Sequence, residues 1–369
     1  IIGGAPTASG VRVDEQSALR MIAVWACVRV ISETVASLPF PVYRRLERGR
    51  ERVHDHQVYR LLNLQPNPEV TPITFREAVT AHVLTWGNGY IYINRNRYTG
   101  DPESLWPLLP DRTYPVRIGE DRRLVYRTLR PDGSEMYIAA DDVIHIAGLG
   151  YDGLVGYSPI RMAMEAIGAG LAAEDFANRF YRQGTHIGGI IEIPGSLNEA
   201  AQKRLSESIK ETHQGLGKSH LLMILEEGVK YHKIGIPPNE AQFLETRKFQ
   251  AEEIARLYRV PPHKIGLMDR STFSNIEQQA IEWVTDTILP WCRRWEQTIN
   301  ARLFDTREQG ELYAEHLIDG IMRGDLKTRY DAYAVGRQWG WLSINDVRER
   351  ENMNPIEGGD IYMVPLNMM

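Results

Sequence analysis

Cysteine is nearly missing from this chain: two residues in 369. Cys27 and Cys292 each lie in an apolar stretch of helical character, so buried free thiols are expected, not a disulfide framework or a metal cluster. That usage fits a reducing cytoplasm. Long hydrophobic runs are missing too. Met21 to Ala36 comes nearest, but Arg29, Ser32 and Glu33 interrupt it, and it falls short of the roughly 18–20 apolar residues of a membrane span. A buried helix is expected there, and no membrane partner. No signal peptide is visible. The chain opens on Ile1 and not Met, so a processed or trimmed product is expected. Positive charge is not in excess, since the formal net charge is −5. A tight DNA binder gains affinity from a basic surface that releases counterions, and this balance argues against one.

Chemistry-bearing motifs are equally scarce. The histidines form no HExxH and the cysteines no CxxC. His54-Asp55-His56 lacks a third ligand at a diagnostic spacing. Asp141, Asp142 and His145 read as ordinary polar residues at strand ends. Gly217-Lys218-Ser219 ends like a phosphate-binding loop, but Thr212 stands where that motif needs its first Gly, and the order helix–loop–strand is the reverse of the required one. Ser158 follows a strand and opens a helix as a hydrolase nucleophile would. Gly156-Tyr157-Ser158-Pro159-Ile160 lacks the second Gly of that elbow, and a helix N-cap accounts for the serine. No catalytic residue, no metal and no cofactor is expected.

What is present is ordinary in bulk: 43% hydrophobic and 25% charged residues, with length for two or three domains. Residues 1–15 read as a loose arm. Helical spacing marks 17–37, where Ala18, Ile22, Trp25, Ala26, Arg29, Val30 and Glu33 recur, and Pro39 and Pro41 end it. Phe40–Tyr43 reads as a strand, and the Pro- and Asn-rich Asn63–Pro72 as a loop. Thr74–Trp86 is a helix stopped at Gly87-Asn88-Gly89. Strands follow at Tyr90–Asn94, Leu105–Leu109, Leu124–Leu129, Glu135–Ala139 and Val143–Ala147. Gly148–Gly156 reads as a Gly-rich hinge.

Ser158 and Pro159 then start a helix expected to run to about Gln183. It carries Ala163, Ala166, Gly168, Ala169, Gly170, Leu171, Ala172 and Ala173. Each interior Gly costs about 1 kcal/mol against Ala, so close approach of a neighbouring helix is expected. An insertion follows: a strand at Ile187–Ile193, a helix capped by Ser196 with Glu199 and ending near Thr212, and a hairpin of His220–Leu225 with Val229–Ile234. Pro237-Pro238 closes it.

The most distinctive stretch is Asn239–Phe304: a helix, a Pro-Pro break, a polar loop, then a second, long helix. Ser274 with Glu277 forms a capping box. Ile276, Ala280, Trp283, Val284, Ile288, Trp291, Trp295, Ile299 and Leu303 recur at helical spacing, over roughly 46 Å of helix. Pro290 lies in its middle and predicts a kink. Beyond Phe304, Leu312–Leu317 and Tyr362–Val364 read as strands, Asp325–Gln338 as a helix, and Ser343 with Asp346 as the start of another.

Periodicity alone leaves this as the core helix of an ordinary α+β protein. The motifs add more. Glu253-Ile254-Ala255-Arg256-Leu257-Tyr258-Arg259-Val260-Pro261-Pro262-His263-Lys264-Ile265-Gly266, then Ser274-Asn275-Ile276-Glu277-Gln278-Gln279, resembles the portal proteins of long-tailed bacteriophages. So do Met21–Pro39, Gly87-Asn88-Gly89-Tyr90 and Leu105-Trp106-Pro107-Leu108. Together they span Met21 to Phe304, most of the chain.

The resemblance implies an α+β portal fold with an α/β wing, helical stem, small α/β clip insertion, long kinked helix and partial C-terminal crown. It divides the chain into wing (1–155), first stem helix (156–184), clip (185–238), second stem helix (239–260), tunnel loop with kinked helix and wing completion (261–310), and C-terminal wing or crown (311–369). Lys264, Met268, Asp269, Arg270, Ser271, Thr272 and Phe273 would form the tunnel loop, touching DNA backbone without reading bases. Ala163, Ala166, Gly168, Leu171 and Ala172 would face adjacent subunits.

The implied assembly is a ring of about twelve copies at one capsid vertex of the virion, built in the bacterial host cytoplasm. Its implied partners are double-stranded DNA without sequence specificity, the terminase large subunit, the major capsid or scaffold protein and the head-tail adaptor. A mildly acidic chain is compatible with a conduit along which DNA slides. The alternatives are a non-portal capsid or scaffold component, and an enzyme with an unrecognised site.

Overall fold

The structure, a computed structural model, describes residues 5–47, 49–130, 132–183, 189–192, 199–200, 203, 230–233, 240–267, 279–318, 326–351 and 353–363. The chain opens with a short hairpin, β1 (Ala5–Pro6) and β2 (Arg12–Val13). A 3-10 turn at Ala18–Arg20 and an extended Met21 precede α1 (Ile22–Ser37). The helix therefore starts at Ile22, later than the spacing suggested. Its buried face is Val24, Cys27, Val28, Ile31 and Val35. Ile22 and Trp25, at 73% and 53% exposure, point outward.

Next come β3 (Val42–Arg45), β4 (Arg50–Val53), α2 (Gln57–Asn63) and α3 (Pro72–Trp86). The sequence reading missed α2. His56 is its N-cap, with Nδ1 accepting from the Val58 N–H at 3.2 Å. Thr71 caps α3 with Pro72 in its first turn, and Gly87 ends it at φ 79° in the left-handed region that glycine tolerates. Strands β5 (Asn88–Arg95), β6 (Pro102–Leu108), β7 (Thr113–Ile118), β8 (Arg123–Leu129), β9 (Glu135–Ala139) and β10 (Val143–Ala147) follow. They form two antiparallel sheets, ordered β10-β5-β6 and β7-β8-β9. The sequence reading passed over β7.

The helix expected from Ser158 to Gln183 is two helices, α4 (Pro159–Met162) and α5 (Met164–Gln183). Ala163, at φ −106° and ψ 17°, breaks them. In the insertion, β11 (Gly189–Glu192) pairs antiparallel with β12 (Lys230–Lys233). The expected helix after Ser196 and the strand at His220–Leu225 lie outside the described residues, as does Gly217-Lys218-Ser219. Helix α6 (Glu240–Leu257) returns. Five residues of π-turn, Val284–Ile288, run into α7 (Leu289–Arg302). Then come β13 (Leu312–Ala314), α8 (Leu326–Gln338) and α9 (Ile344–Arg350), whose Ser343–Asp346 capping box is formed. Tyr362 and Met363 are not in a strand, so Tyr362–Val364 is not realised there; Val364 lies outside the described residues.

Antiparallel sheets with helices packed against them make this an α+β fold. The main core joins α1 and α3 to the sheet residues Ile91, Ile93, Leu105, Ile144 and Ile146, and takes in Trp283, Ile288, Trp295 and Ile299 from the long helical segment. Sheet β13-β3-β4 closes one side, with Leu312 opposite Arg44 and Ala314 opposite Val42. A second cluster, Tyr90, Tyr126, Ile138 and Val143, packs sheet β7-β8-β9 onto β5 and β10. Cys27 and Cys292 are free and fully buried, and burial pushes both thiols up to about 12.

The Gly148–Gly156 segment is no loose hinge in this fold. The Gly148 N–H donates to Gly87 O at 2.8 Å, and the buried Asn88 amide donates to Gly156 O at 2.8 Å. The small residues of α5 are also used within the chain. A Cβ on Gly168 would lie 2.6 Å from Thr7 Oγ1, and one on Gly170 2.8 Å from Met21 Cε. Close approach is therefore real, but at these two positions the neighbours are the N-terminal hairpin and Met21.

Candidate functional site

The segment from α6 through the Pro-Pro turn to α7 is where the motif density of the sequence becomes geometry. Helix α6 ends because Arg259 takes φ 54°, a left-handed conformation that is costly for any residue with a Cβ. The Val260 N–H reaches back to Ala255 O at 2.8 Å. Tyr258, buried beneath, donates from its hydroxyl to Leu84 O at 3.1 Å and so ties the end of α6 to the end of α3. Pro261 and Pro262 then fix an extended entry into a 3-10 turn, Pro262–Ile265, closed by Gly266 at φ 82°. The turn is locked at its base: Thr287 Oγ1 donates to Arg259 O at 2.6 Å. Thus a strained carbonyl on one helix is held by the π-turn of the next.

That π-turn is the finding sequence reasoning missed. The Leu289 N–H bonds to Val284 O, five residues back, and Pro290 follows in the first turn of α7. Proline has no N–H, so a continuous α-helix would leave a carbonyl unpaired here. The widened turn lies one turn before Pro290 and accommodates the same defect. Pro290 was the available signal. Arg259 gave none, because its conformation follows from packing against Thr287 and not from its side chain.

Of the expected loop residues, only Lys264 is described. Its ammonium lies 4.7 Å from the centroid of the Trp283 ring, a cation–π contact, with the side chain exposed. Met268, Asp269, Arg270, Ser271, Thr272 and Phe273 lie outside the described residues, as does the Ser274–Glu277 cap.

Helix α7 is held by hydrogen bonds with several elements. The Trp295 indole N–H donates to Thr80 Oγ1 at 3.2 Å, and Arg294 Nη1 to Ala147 O at 2.9 Å. Arg95 Nη2 donates to Arg302 O at 2.8 Å, capping the helix end. Glu296, buried in an otherwise apolar stripe, accepts from the His316 N–H at 2.9 Å and from Arg293 Nη1 at 2.6 Å. Burial opposes its ionisation, but the bonds from His316 and Arg293 outweigh that and hold the carboxyl below its ordinary range. His316 stacks on Phe40 with centroids 3.8 Å apart, and burial keeps its imidazole neutral by lowering its pKa.

The described residues of the motifs set aside in the sequence have the following partners. Ser158 Oγ accepts from the Arg161 N–H at 3.2 Å and donates to Thr85 O at 2.8 Å, so its hydroxyl forms the helix cap. His56 pairs with Glu308, and His54 stacks edge-on against Tyr59. Asp141 and Asp142 meet Arg302 and Arg95. His145 lies between the Tyr126 hydroxyl and Asn88 Oδ1. No group of metal-ligating side chains exists among the described residues. Nor is any helix among them long and apolar enough to cross a membrane.

Known proteins place this geometry. Residues 22–352 match the family model described as Phage portal protein. The chain is 34% identical over 356 residues to the portal protein of Enterobacteria phage HK97, covering 95% of this chain and 83% of that one. It is 33% identical over 378 residues to the probable portal protein of Streptomyces phage phiC31, covering 99% and 82%. Among solved structures, a chain from the neck of an empty gene transfer agent particle computed with C6 symmetry superposes with a TM-score of 0.66 at 25% identity, covering 96% and 97%. An HK97 family phage portal protein from Corynebacterium diphtheriae shares the fold, with a TM-score of 0.60 at 16% identity, covering 84% and 98%.

Proposed function

The chain belongs to the phage portal protein family, and from that premise we propose that it forms an oligomeric ring at one capsid vertex of a phage particle. The ring is the channel through which double-stranded DNA is packaged and later released. The observation that carries this reading is the family match over nearly the whole chain, joined to a fold shared with chains of particle necks. The protein works as structure and not as an enzyme; the absence of any catalytic constellation from its sequence motifs agrees with that. Assembly takes place in the bacterial host cytoplasm, and the finished ring is part of the virion.

In this reading residues 1–155 and 311–369 build the wing and crown, α5 and α6 the stem, and 185–238 the clip. The ring holds about twelve subunits in closed cyclic symmetry. It docks the terminase large subunit, contacts the major capsid or scaffold protein, and later receives the head-tail adaptor. Residues 268–273, with Lys264 at their rim, face the DNA and touch its backbone only. Ala163, at the break before α5, and Ala166, Leu171 and Ala172 on α5 are half-buried in the single chain and line the side packed by adjacent stem helices; Gly168 serves the N-terminal hairpin.

The test is negative-stain electron microscopy of purified protein, alone and co-expressed with its capsid and scaffold proteins, with mass from light scattering. Rings with an open hole wide enough for duplex DNA are expected. A compact dimer without a hole would overturn the reading.

A further inference from the structure

Nothing local explains why the chain bends at Ala163. Met162, Ala163, Met164, Glu165 and Ala166 are all good helix formers, and Ser158 with Pro159 starts the helix well. Yet Ala163 sits at φ −106° and ψ 17°, outside the helical region. A continuous helix would pair the Met164 and Ala166 N–H groups with the carbonyls of Ile160 and Met162, four residues back. The break between α4 and α5 forgoes those bonds, so contacts from outside the helix hold the bend.

The N-terminal arm, residues 5–17, bonds on both sides of the break. The arm is itself firmly built. The Thr7 N–H and hydroxyl both donate to Val11 O, at 3.0 and 2.8 Å, and the Gly10 N–H returns to Thr7 O at 2.8 Å. Its base is closed by a reciprocal pair: the Asp14 N–H donates to Ser17 Oγ at 2.8 Å and the Ser17 N–H to Asp14 Oδ1 at 2.6 Å. On the α4 side, Arg161 Nε donates at 2.9 Å to Glu15 Oε1, whose side chain is only 3% exposed. On the α5 side, the Ala8 N–H donates to Glu165 Oε2 at 3.0 Å. Thr7, 5% exposed, lies against Gly168, where a Cβ would stand 2.6 Å from its Oγ1 and 2.9 Å from its Cβ. Gly168 weakens its own helix, and its use is as the seat of Thr7.

We infer that residues 5–17 are a clasp that holds the bend at Ala163, and that on its release residues 159–183 close into one continuous helix. The two states satisfy different groups. The clasped chain gives up ladder bonds at the break and gains the Glu15–Arg161 pair, the Ala8–Glu165 bond and the seat of Thr7 on Gly168. The released chain regains the ladder and loses those contacts. The direction of α5 is thereby set by a segment that lies 146 to 157 residues earlier in the chain at its points of contact. Both states belong to the single chain, so the inference stands apart from the ring reading.

The test is amide hydrogen exchange of the full, unassembled chain, resolved at residues 164–166. Gly168→Ala drives a methyl into Thr7 and evicts the arm, and exchange at those amides should slow about tenfold as the ladder closes. Ala also favours helix over Gly, so the decisive variant is Gly168→Ala with Thr7→Gly. It keeps the Ala and reopens the seat, and its exchange should return to the parent's rate. Arg161→Met unpairs the buried Glu15 carboxylate without touching α5, and should slow the same amides. Unchanged exchange in Gly168→Ala or in Arg161→Met would overturn the inference, as would a double variant as slow as Gly168→Ala alone. Faster exchange at 164–166 in either single variant would overturn it too, since the arm would then only shield the helix.

Discussion

Arg259 holds a backbone conformation that its own side chain disfavours. The surrounding contacts over-determine it: Pro261 on one side, the Val260 N–H bond to Ala255 O, and Thr287 on the carbonyl. Left-handed residues with a Cβ cost roughly 1–2 kcal/mol against the right-handed form. Arg259→Gly should therefore raise unfolding stability by about 1 kcal/mol, and Arg259→Val should lower it, both read from urea denaturation. Buried imidazoles give a second prediction. Burial brings His145 down to about 4 and also lowers His82 and His316. A histidine whose folded pKa lies below its unfolded value binds its proton first in the unfolded chain, so stability is full above about pH 6.5 and drains away as pH falls toward about 4. Melting temperature should drop across that window, and His145→Gln, which keeps a polar group without the titration, should flatten the curve.

Among the elements, α3 and α7 were the most legible. Each carries a long apolar repeat; the starts of α4 and α9 were legible too, since Ser158 and Ser343 form their caps. Some features that escaped reading depend on partners remote in sequence, as Arg259 does on Thr287; others are local. Ala163 is an unexceptional residue in a good helical sequence, yet the helix breaks there. The α2 helix is a single short segment whose cap is a histidine. Glycine in α5 correctly signalled close approach, but the group nearest Gly168 is Thr7 of the N-terminal hairpin and the group nearest Gly170 is Met21. The site was half legible for the same reason. Pro290 announced a defect in its helix, while Arg259 and the Glu296–His316 pair, set by contacts across the fold, announced nothing. Packing makes two further predictions at this scale. Trp295→Ala empties the space between α7 and α3 and should cost about 3–5 kcal/mol. Gly156→Ala drives a methyl into the Gly87 carbonyl and should cost about 1–3 kcal/mol, with both read from thermal or urea melts.

At the scale of the whole molecule, the proposed tunnel loop separates assembly from transport. Shortening Met268–Phe273 should leave ring formation unchanged and impair DNA packaging or retention in particles; normal packaging and retention would remove the loop from the channel. The pairing of β13 with β3 has a consequence of another kind. β3 is the central strand of its sheet only because Leu312–Ala314 returns to pair with Val42–Arg44, some 270 residues later in the chain. During synthesis, β3 is exposed as a bare edge until the ribosome has made everything in between, and bare edges invite pairing with other chains. A nascent polypeptide halted before Leu312 is thus not merely unfinished but adhesive, and completion of translation is itself the step that seals it.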